Sequence, residues 1–335
     1  MRTIEWNSEK KTIQMVDQTL LPQEYRRIEC TTIESLCHAI RTLKVRGAPA
    51  IGVAGGYGIA LAAHTSRSET PEEVLQEVES AAKKINNTRP TAINLSWAIN
   101  RVMRAIREKS RTKEEIAETA LEEAEKIADE DIRTNKKIGE HGATLLQNGD
   151  RVLTHCNAGR LACVDWGTAL GVIRSAIKNG KEIQVVACET RPLNQGSRLT
   201  AWELTQDKIP VTLITESAAG HLMRHGKIDK IIVGADRITK DAVFNKIGTY
   251  THSVLAKEHN IPFYVAAPTS TIDRDHHEEE ITLEERDPDE LRYIKNIQLA
   301  PDNVPVHNPA FDATPIENIT AIITERGILH PPLSL

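Results

Sequence analysis

Beyond residue 149 the chain repeats one pattern: a short unbroken run of apolar, β-favouring residues, then a stretch with helical character. The runs are Val152–Cys156, Ile183–Cys188, Val211–Ile214, Lys230–Val233 and Phe263–Ala266, and helical stretches such as Gly167–Lys178 and Gly248–His259 lie between them. A parallel strand buried on both faces reads as a continuous apolar run, and strands alternating with helices imply βαβ crossovers. The expected fold class is therefore α/β, with a C-terminal Rossmann-like doubly wound parallel sheet. The first 148 residues read differently, as a mostly helical domain with a small β entry. Thr31-x-x-Glu34 and Thr112-x-x-Glu115 match the capping box. Thr70-Pro71-Glu72-Glu73 puts proline at the first helical position, where its missing N–H is not needed. After Thr112, Ile116, Ala120, Leu121, Ala124, Ile127 and Ala128 mark one helix face. Glu114, Glu118, Glu122, Glu125 and Asp129 crowd the other, which reads as a solvated face. The expected domains are residues 1–125, helical, and 126–335, Rossmann-like. Asp273 to Pro301 reads as a charged, irregular excursion.

Composition narrows the function classes. The 335 residues carry 42 Lys+Arg against 47 Asp+Glu, a net charge of −5, with only 3 Phe, 4 Trp and 5 Tyr. So mild an acidity, and so few rings, argue against a phosphate-tracking basic face or a base-stacking platform, and no nucleic-acid partner is expected. No apolar run reaches the ~18–20 residues of a membrane span, so no membrane partner is expected. Met1-Arg-Thr-Ile-Glu-Trp6 shows no apolar signal region. Five cysteines, an odd count, fit reduced thiols. The expected location is cytoplasmic and the expected partner a small molecule.

In an open parallel sheet, ligands bind beyond the carboxyl ends of the strands. Those ends lead here into Cys156-Asn157-Ala158-Gly159, Cys188-Glu189-Thr190-Arg191-Pro192 with Asn194-Gln195-Gly196-Ser197-Arg198, Gly234-Ala235-Asp236-Arg237 before Asn245-Lys246, and Ala267-Pro268-Thr269. Cys156 ends a strand at a small polar turn, a place where a thiol meets a ligand, whereas most free cysteines are small core residues. Cys188 holds the equivalent place on the next strand and competes with it. Cys30, Cys37 and Cys163 fall on helix-like stretches and read as packing. Asp236, after an apolar strand, suits proton transfer if partly desolvated; its plainer readings are a helix N-cap or an ion pair with Arg237.

The helical half adds two arginine turns. Val45-Arg46-Gly47-Ala48-Pro49 precedes a helix rich in small residues, and Thr88-Arg89-Pro90-Thr91-Ala92 precedes Ile93–Ile106. An arginine beside the free N–H groups of a helix start suits a phosphate. Gly56-x-Gly58 follows no strand and lacks the third glycine of a dinucleotide fingerprint, and no Walker pattern occurs, so no cofactor is expected. His221 and His225, four residues apart, have no intervening Glu, and His276-His277-Glu278-Glu279-Glu280 reads as a solvated loop. No metal is expected.

Several of these segments together resemble the methylthioribose-1-phosphate isomerase family. They are Arg46-Gly47-Ala48-Pro49-Ala50-Ile51-Gly52, Arg89-Pro90-Thr91-Ala92-Ile93-Asn94-Leu95-Ser96-Trp97, Thr154-His155-Cys156-Asn157-Ala158-Gly159, and Glu189-Thr190-Arg191-Pro192 with Gln195 through Leu204. Val233 to Arg237, Asn245 to Tyr250, Ala266-Ala267-Pro268 and Asn308 to Pro315 continue the match in order along nearly the whole chain. The resemblance implies a helical domain followed by a Rossmann-like one, a homodimer, and conversion of 5-methylthioribose 1-phosphate to 5-methylthioribulose 1-phosphate in methionine salvage. It implies Cys156 and Asp236 as the catalytic pair. It implies substrate contacts from Arg46, Gly47, Ala48, Arg89, Gln195, Asn245 and Lys246. Where that family's pattern continues after Asn-Ala-Gly with small residues and a tyrosine, this chain has Arg160-Leu161-Ala162-Cys163-Val164-Asp165-Trp166. Two alternatives stay open. One is an isomerase of another pentose 1-phosphate, 5-deoxyribose 1-phosphate or ribose 1,5-bisphosphate. The other is a non-catalytic protein like the regulatory subunits of initiation factor 2B, which share the architecture.

Overall fold

The structure is a computed structural model that describes residues 2–90 and 92–332. Its elements run β1 Ile4–Asn7, β2 Thr12–Val16, β3 Arg27–Cys30, α1 Ile33–Arg41, α2 Ala48–Thr65, α3 Pro71–Asn86, α4 Ile93–Lys109 and α5 Lys113–Ala143. They continue β4 Arg151–Thr154, α6 Ala169–Lys178, β5 Gln184–Cys188, α7 Ala201–Gln206, β6 Val211–Ile214, α8 Ala218–Arg224, β7 Lys230–Val233, β8 Arg237–Ile238 and β9 Ala242–Lys246. Then come α9 Thr249–Glu258, β10 Phe263–Ala266, α10 Asp289–Arg292, β11 Tyr293–Ile294, β12 Ile297–Gln298, β13 Phe311–Pro315, β14 Ala321–Thr324 and β15 Gly327–Leu329. The chain forms two compact units: Met1–Lys137 with Ala158–Gly171, and Ile138–Asn157 with Val172–Leu335. The division does not fall at residues 125 and 126. No proline or glycine interrupts the sequence there, so α5 runs on to Ala143 and the units part inside the helix. A return segment, residues 158–171, also belongs to the first unit.

In the first unit, β1, β2 and β3 form an antiparallel sheet. Helix α2 is apolar on every side and is buried from Ala50 to Ala63, as a helix without a polar face must be. Ile116, Ala120, Ala124, Ile127 and Ala128 of α5 are buried against that core, as their spacing predicts. The acidic face of α5 is partly used: half-buried Glu125 and Asp129 both pair with Arg2. The capping box at Thr112 forms, with Glu115 taking the Thr112 N–H at 3.2 Å and Thr112 taking the Glu115 N–H at 3.2 Å. Thr70 caps α3 through the Glu73 N–H, 3.3 Å. At α1 the box stands one residue later than expected: Thr32 and Ser35 exchange the two bonds, and Glu34 instead meets Lys84 at 3.1 Å.

The second unit holds a seven-stranded sheet in the order β15-β14-β10-β7-β4-β5-β6. All its pairs are parallel except that of β14 with β15. The chain lays down β4, β5 and β6 outward in one direction, then crosses back to place β7, β10 and β14 on the other side of β4. The order therefore reverses between β4 and β7, the switch point at which such sheets open a crevice. A second, antiparallel sheet, β13-β9-β8, grows from the end of β7. The excursion after Asp273 contains α10 and the two-stranded ribbon of β11 and β12. Among the described residues, no helix is long and apolar enough to cross a membrane.

Candidate active site

The two strands that flank the switch point end on the two residues expected to do chemistry. Strand β4 leads through His155 into Cys156, and β7 leads through Gly234 and Ala235 into Asp236. Strand β5, the other neighbour of β4, leads to Gln195. Cys156 is half-buried, while the other four cysteines are buried. Its φ of 62° lies in the left-handed region that a side chain with a Cβ rarely adopts. Cys188, its competitor, is wholly buried with Sγ 3.6 Å from His252 Nε2, and burial pushes its thiol far up, so it stays protonated. Cys30 lies on β3 and Cys163 in extended chain after the short turn Arg160–Ala162, neither on a helix; with Cys37 they pack in the interior.

Asp236 caps no helix. Its N–H donates to the Phe244 carbonyl at 2.9 Å, which starts the β8–β9 hairpin, and Arg237 turns to Asp273 at 3.3 Å. That hairpin carries Asn245 and Lys246 on the same small sheet as Asp236. The Asn245 amide donates to the Thr249 hydroxyl at 3.1 Å. Lys246 donates to the Ala310 carbonyl at 2.8 Å and stands 4.5 Å over the Phe311 ring. Gln195 is buried, and its side-chain oxygen makes no hydrogen bond among the described residues. A buried acceptor left this way is the kind a ligand hydroxyl satisfies.

Arg46, Gly47, Ala48 and Arg89 belong to the first unit. Gly47 is the N-cap of α2 with φ 92°, and a Cβ there would come within 2.5 Å of Ala162, so geometry and space both demand glycine. Ala48 and Pro49 open the helix. Arg89 stands in the turn between α3 and α4; Thr91, part of the same motif, lies outside the described residues. The first turns of α2 and α4 hold no acidic residue, unlike those of α3 and α5, so neither offers an internal carboxylate to the amides there.

Sequence reasoning assigned no role to His155, Thr190, Thr200, His252 or Asp312. Asp312 on β13 pairs in register with Asn245, and its carboxylate accepts the Gly248 and Tyr250 N–H groups at 2.7 and 3.2 Å, capping α9. Burial pushes its pKa up to about 6. His155, Cys188 and His252 are fully buried with donor atoms within 4.8 Å of one another. They make three soft donors where a closed zinc shell takes four, and His155 Nε2 is already held by the Ile247 carbonyl at 2.8 Å. They pack as a neutral cluster behind Cys156. His276 and His277 are exposed beside Asp273 and Asp241, as expected of a solvated loop, and exposed His225 bonds the His221 carbonyl at 2.8 Å. The departing segment after Gly159 is built into the first unit, where Thr3 bonds the Arg160 carbonyl at 2.8 Å and Asp131 takes the Val164 N–H at 2.7 Å. Arg160 and Asp165 approach to 3.9 Å.

Residues 44–331 match the model of the initiation factor 2 subunit family. The chain belongs to that family. Within it, a putative methylthioribose-1-phosphate isomerase of Methanosarcina acetivorans is 62% identical, covering 100% of this chain and 96% of that one. The methylthioribose-1-phosphate isomerase of Acetivibrio thermocellus is 53% identical over 96% of this chain and 94% of its own. Among solved structures, 5-methylthioribose 1-phosphate isomerase from Pyrococcus horikoshii superposes with a TM-score of 0.92 at 46% identity, covering 99% of this chain and 93% of that one. A structure from A. fulgidus described as initiation factor eIF-2B subunit delta gives 0.90 at 56%, covering 99% and 96%. The family thus carries both an enzyme name and a translation-factor name at high identity, and the site chemistry has to separate them.

Proposed function

We propose that this chain is an isomerase that converts 5-methylthioribose 1-phosphate to 5-methylthioribulose 1-phosphate, with Asp236 and Cys156 as its catalytic residues. The observation that carries this reading is the pairing of an acid and a thiol at the carboxyl ends of β4 and β7, the neighbouring strands between which the sheet order reverses. A protein that only binds has no chemical use for that pair. Gln195, Asn245 and Lys246 beside them, and Arg46, Gly47, Ala48 and Arg89 at two helix starts, are the proposed substrate contacts. The enzyme is proposed to act as a cytoplasmic homodimer and to need no metal or cofactor.

The substrate is a glycosyl phosphate, so its ring does not open as a free sugar's does. In the proposed mechanism Asp236, protonated, donates to the ring oxygen as its bond to C1 breaks. The hydrogen on C2 then moves to C1 while the C2 hydroxyl gives its proton to the Asp236 carboxylate, which restores the acid and leaves a ketone at C2 and the phosphate on C1. Cys156 either takes the C2 hydrogen as a proton for return to C1, or stabilises charge while it shifts as hydride. A substrate deuterated at C2 bears on the routes: label lost to solvent marks proton transfer, and full retention at C1 favours hydride shift, since a thiol that exchanges its proton would lose part of it.

The test of function is conversion of three sugars by the purified protein: 5-methylthioribose 1-phosphate, 5-deoxyribose 1-phosphate and ribose 1,5-bisphosphate. The methylthio sugar is expected to react with the highest kcat/KM. An apolar pocket separates it from the deoxy sugar by only ~1–3 kcal/mol, so the latter is expected to react more slowly. Preference for the bisphosphate would reassign the substrate. Conversion of none would return the chain to the regulatory, non-catalytic reading.

A further inference from the structure

Cys156 is held in its left-handed conformation from both sides by threonine hydroxyls. Its N–H donates to Thr190 Oγ1 at 2.8 Å, and its carbonyl accepts from Thr200 Oγ1 at 2.6 Å. Both threonines are fully buried. Each hydroxyl has one proton to give, and both are committed: that of Thr190 goes to the Cys188 carbonyl at 3.1 Å, that of Thr200 to Cys156 itself. Thr190 has a φ of 68°, so a β-branched residue in the same disfavoured region faces the strained cysteine. Its own N–H is taken by Glu216.

The Thr200 side is anchored more deeply. Asn157 Nδ2 donates to Thr200 Oγ1 at 3.2 Å and to Glu203 Oε1 at 3.0 Å, and Glu203 is bridged by Arg174 at 2.8 Å, with all four side chains buried. Thr200 ends a π-helical turn, Gly196–Thr200, which follows directly on Gln195. Two disfavoured backbones bonded together and tied into a buried ionic network are not what chain connectivity alone produces. Strain of this kind persists only where the surroundings over-determine it, and it gathers at functional sites.

We infer that Thr190 and Thr200 are positioning residues, which fix the Cys156 backbone and thereby aim its thiol at the reacting carbon. Neither touches substrate. This inference rests on the isomerase reading only for its kinetic consequence. Thr190→Val and Thr200→Val each delete one hydroxyl at nearly constant shape, and Thr190→Ser and Thr200→Ser keep it. Each valine variant is expected to lose about 100-fold in kcat with KM within about threefold of wild type, since a misaimed reacting group has that scale of effect. The serine variants are expected to restore kcat to within about threefold. A residue that served only to fill space would give the opposite ranking, with serine the more damaging. Wild-type kcat in both valine variants, or a loss expressed in KM, overturns the assignment.

A second readout does not depend on the isomerase reading. Cys156 is the half-buried cysteine among buried ones, so its alkylation by iodoacetamide, followed by mass spectrometry of its peptide, reports the presentation of the thiol. The rate is expected to change at least threefold in folded Thr190→Val or Thr200→Val protein and to stay at the wild-type value in the serine variants. Equal rates in all five proteins overturn the clamp even if no sugar is turned over. A changed rate in a chain that converts none of the sugars leaves the clamp standing and removes the isomerase reading.

Discussion

Burial sets the charge of the histidines behind the cysteine. His155 is pushed down to about 3, by its burial first and the neighbouring His252 second, and burial alone takes His252 to about 4. Both are neutral near pH 7, so neither adds positive charge beside Cys156. The unfolded chain binds protons on both below pH ~6.5, whereas the folded chain does not until pH falls towards those depressed values. Stability therefore falls as pH drops through that window and is full above it. Asp312 acts with the opposite sign: its folded pKa of about 6 lies above the unfolded value, so its contribution declines as pH rises between ~4 and 6. Asp131, pushed up to about 7 chiefly by burial, acts as Asp312 does, so two carboxyls oppose the two histidines. His252→Leu removes one histidine's share, and its melting temperature relative to wild type is expected to rise as pH falls from 6.5 to 4.5, as thermal unfolding across the range will show; a constant difference would clear His252 of the effect. At this scale the sequence placed Cys156 and Asp236 just past strand ends, with Gln195, Asn245 and Lys246 on the segments that follow, because strand ends are visible as boundaries of apolar runs. Thr190, Thr200 and His252 stayed hidden, because their partners lie 34, 44 and 64 residues away and a threonine or histidine inside a run carries no local mark.

Elements were the most readable level. Val211–Ile214, Lys230–Val233 and Phe263–Ala266 are strands with the limits that their apolar runs predict, and β4 stops two residues short of Cys156 because the chain turns to a positive φ there. The capping box at α1 was misplaced by one residue because adjacent threonines, Thr31 and Thr32, offer two registers and only the packing of the helix selects one. The π turn after Gln195 had no signal beyond a glycine. That glycine is there for space: a Cβ on Gly196 would stand 1.7 Å from the Cys188 carbonyl oxygen. Gly196→Ala must therefore push the turn away from β5, carrying Gln195 and Thr200 with it. Overpacking of that kind destabilises by about 2 kcal/mol or more, and the variant is expected to show a lowered denaturation midpoint together with reduced turnover. Wild-type values for both would mean that the turn can move without consequence.

For the whole molecule, the alternation of apolar runs and helices predicted a doubly wound sheet, and that prediction held. Strand order was not legible, because nothing local says that the chain returns to β4 after β6. Yet that return creates the switch point and gives Cys156 and Asp236 their places. The unit boundary was equally hidden: an uninterrupted helix crosses it, and residues 158–171, which follow Cys156 and Asn157 in the chain, belong to the first unit again. The acid after β7 and the thiol after β4 are proposed to perform one isomerisation. The most direct test is single-substrate turnover of 5-methylthioribose 1-phosphate by wild type, Asp236→Asn and Cys156→Ala, each first checked for an unchanged melting transition. Wild type is expected to form the ketose and each variant to lose at least ~100-fold in kcat. Near-normal turnover in either folded variant, or none in wild type, would show that Asp236 and Cys156 do not share this chemistry.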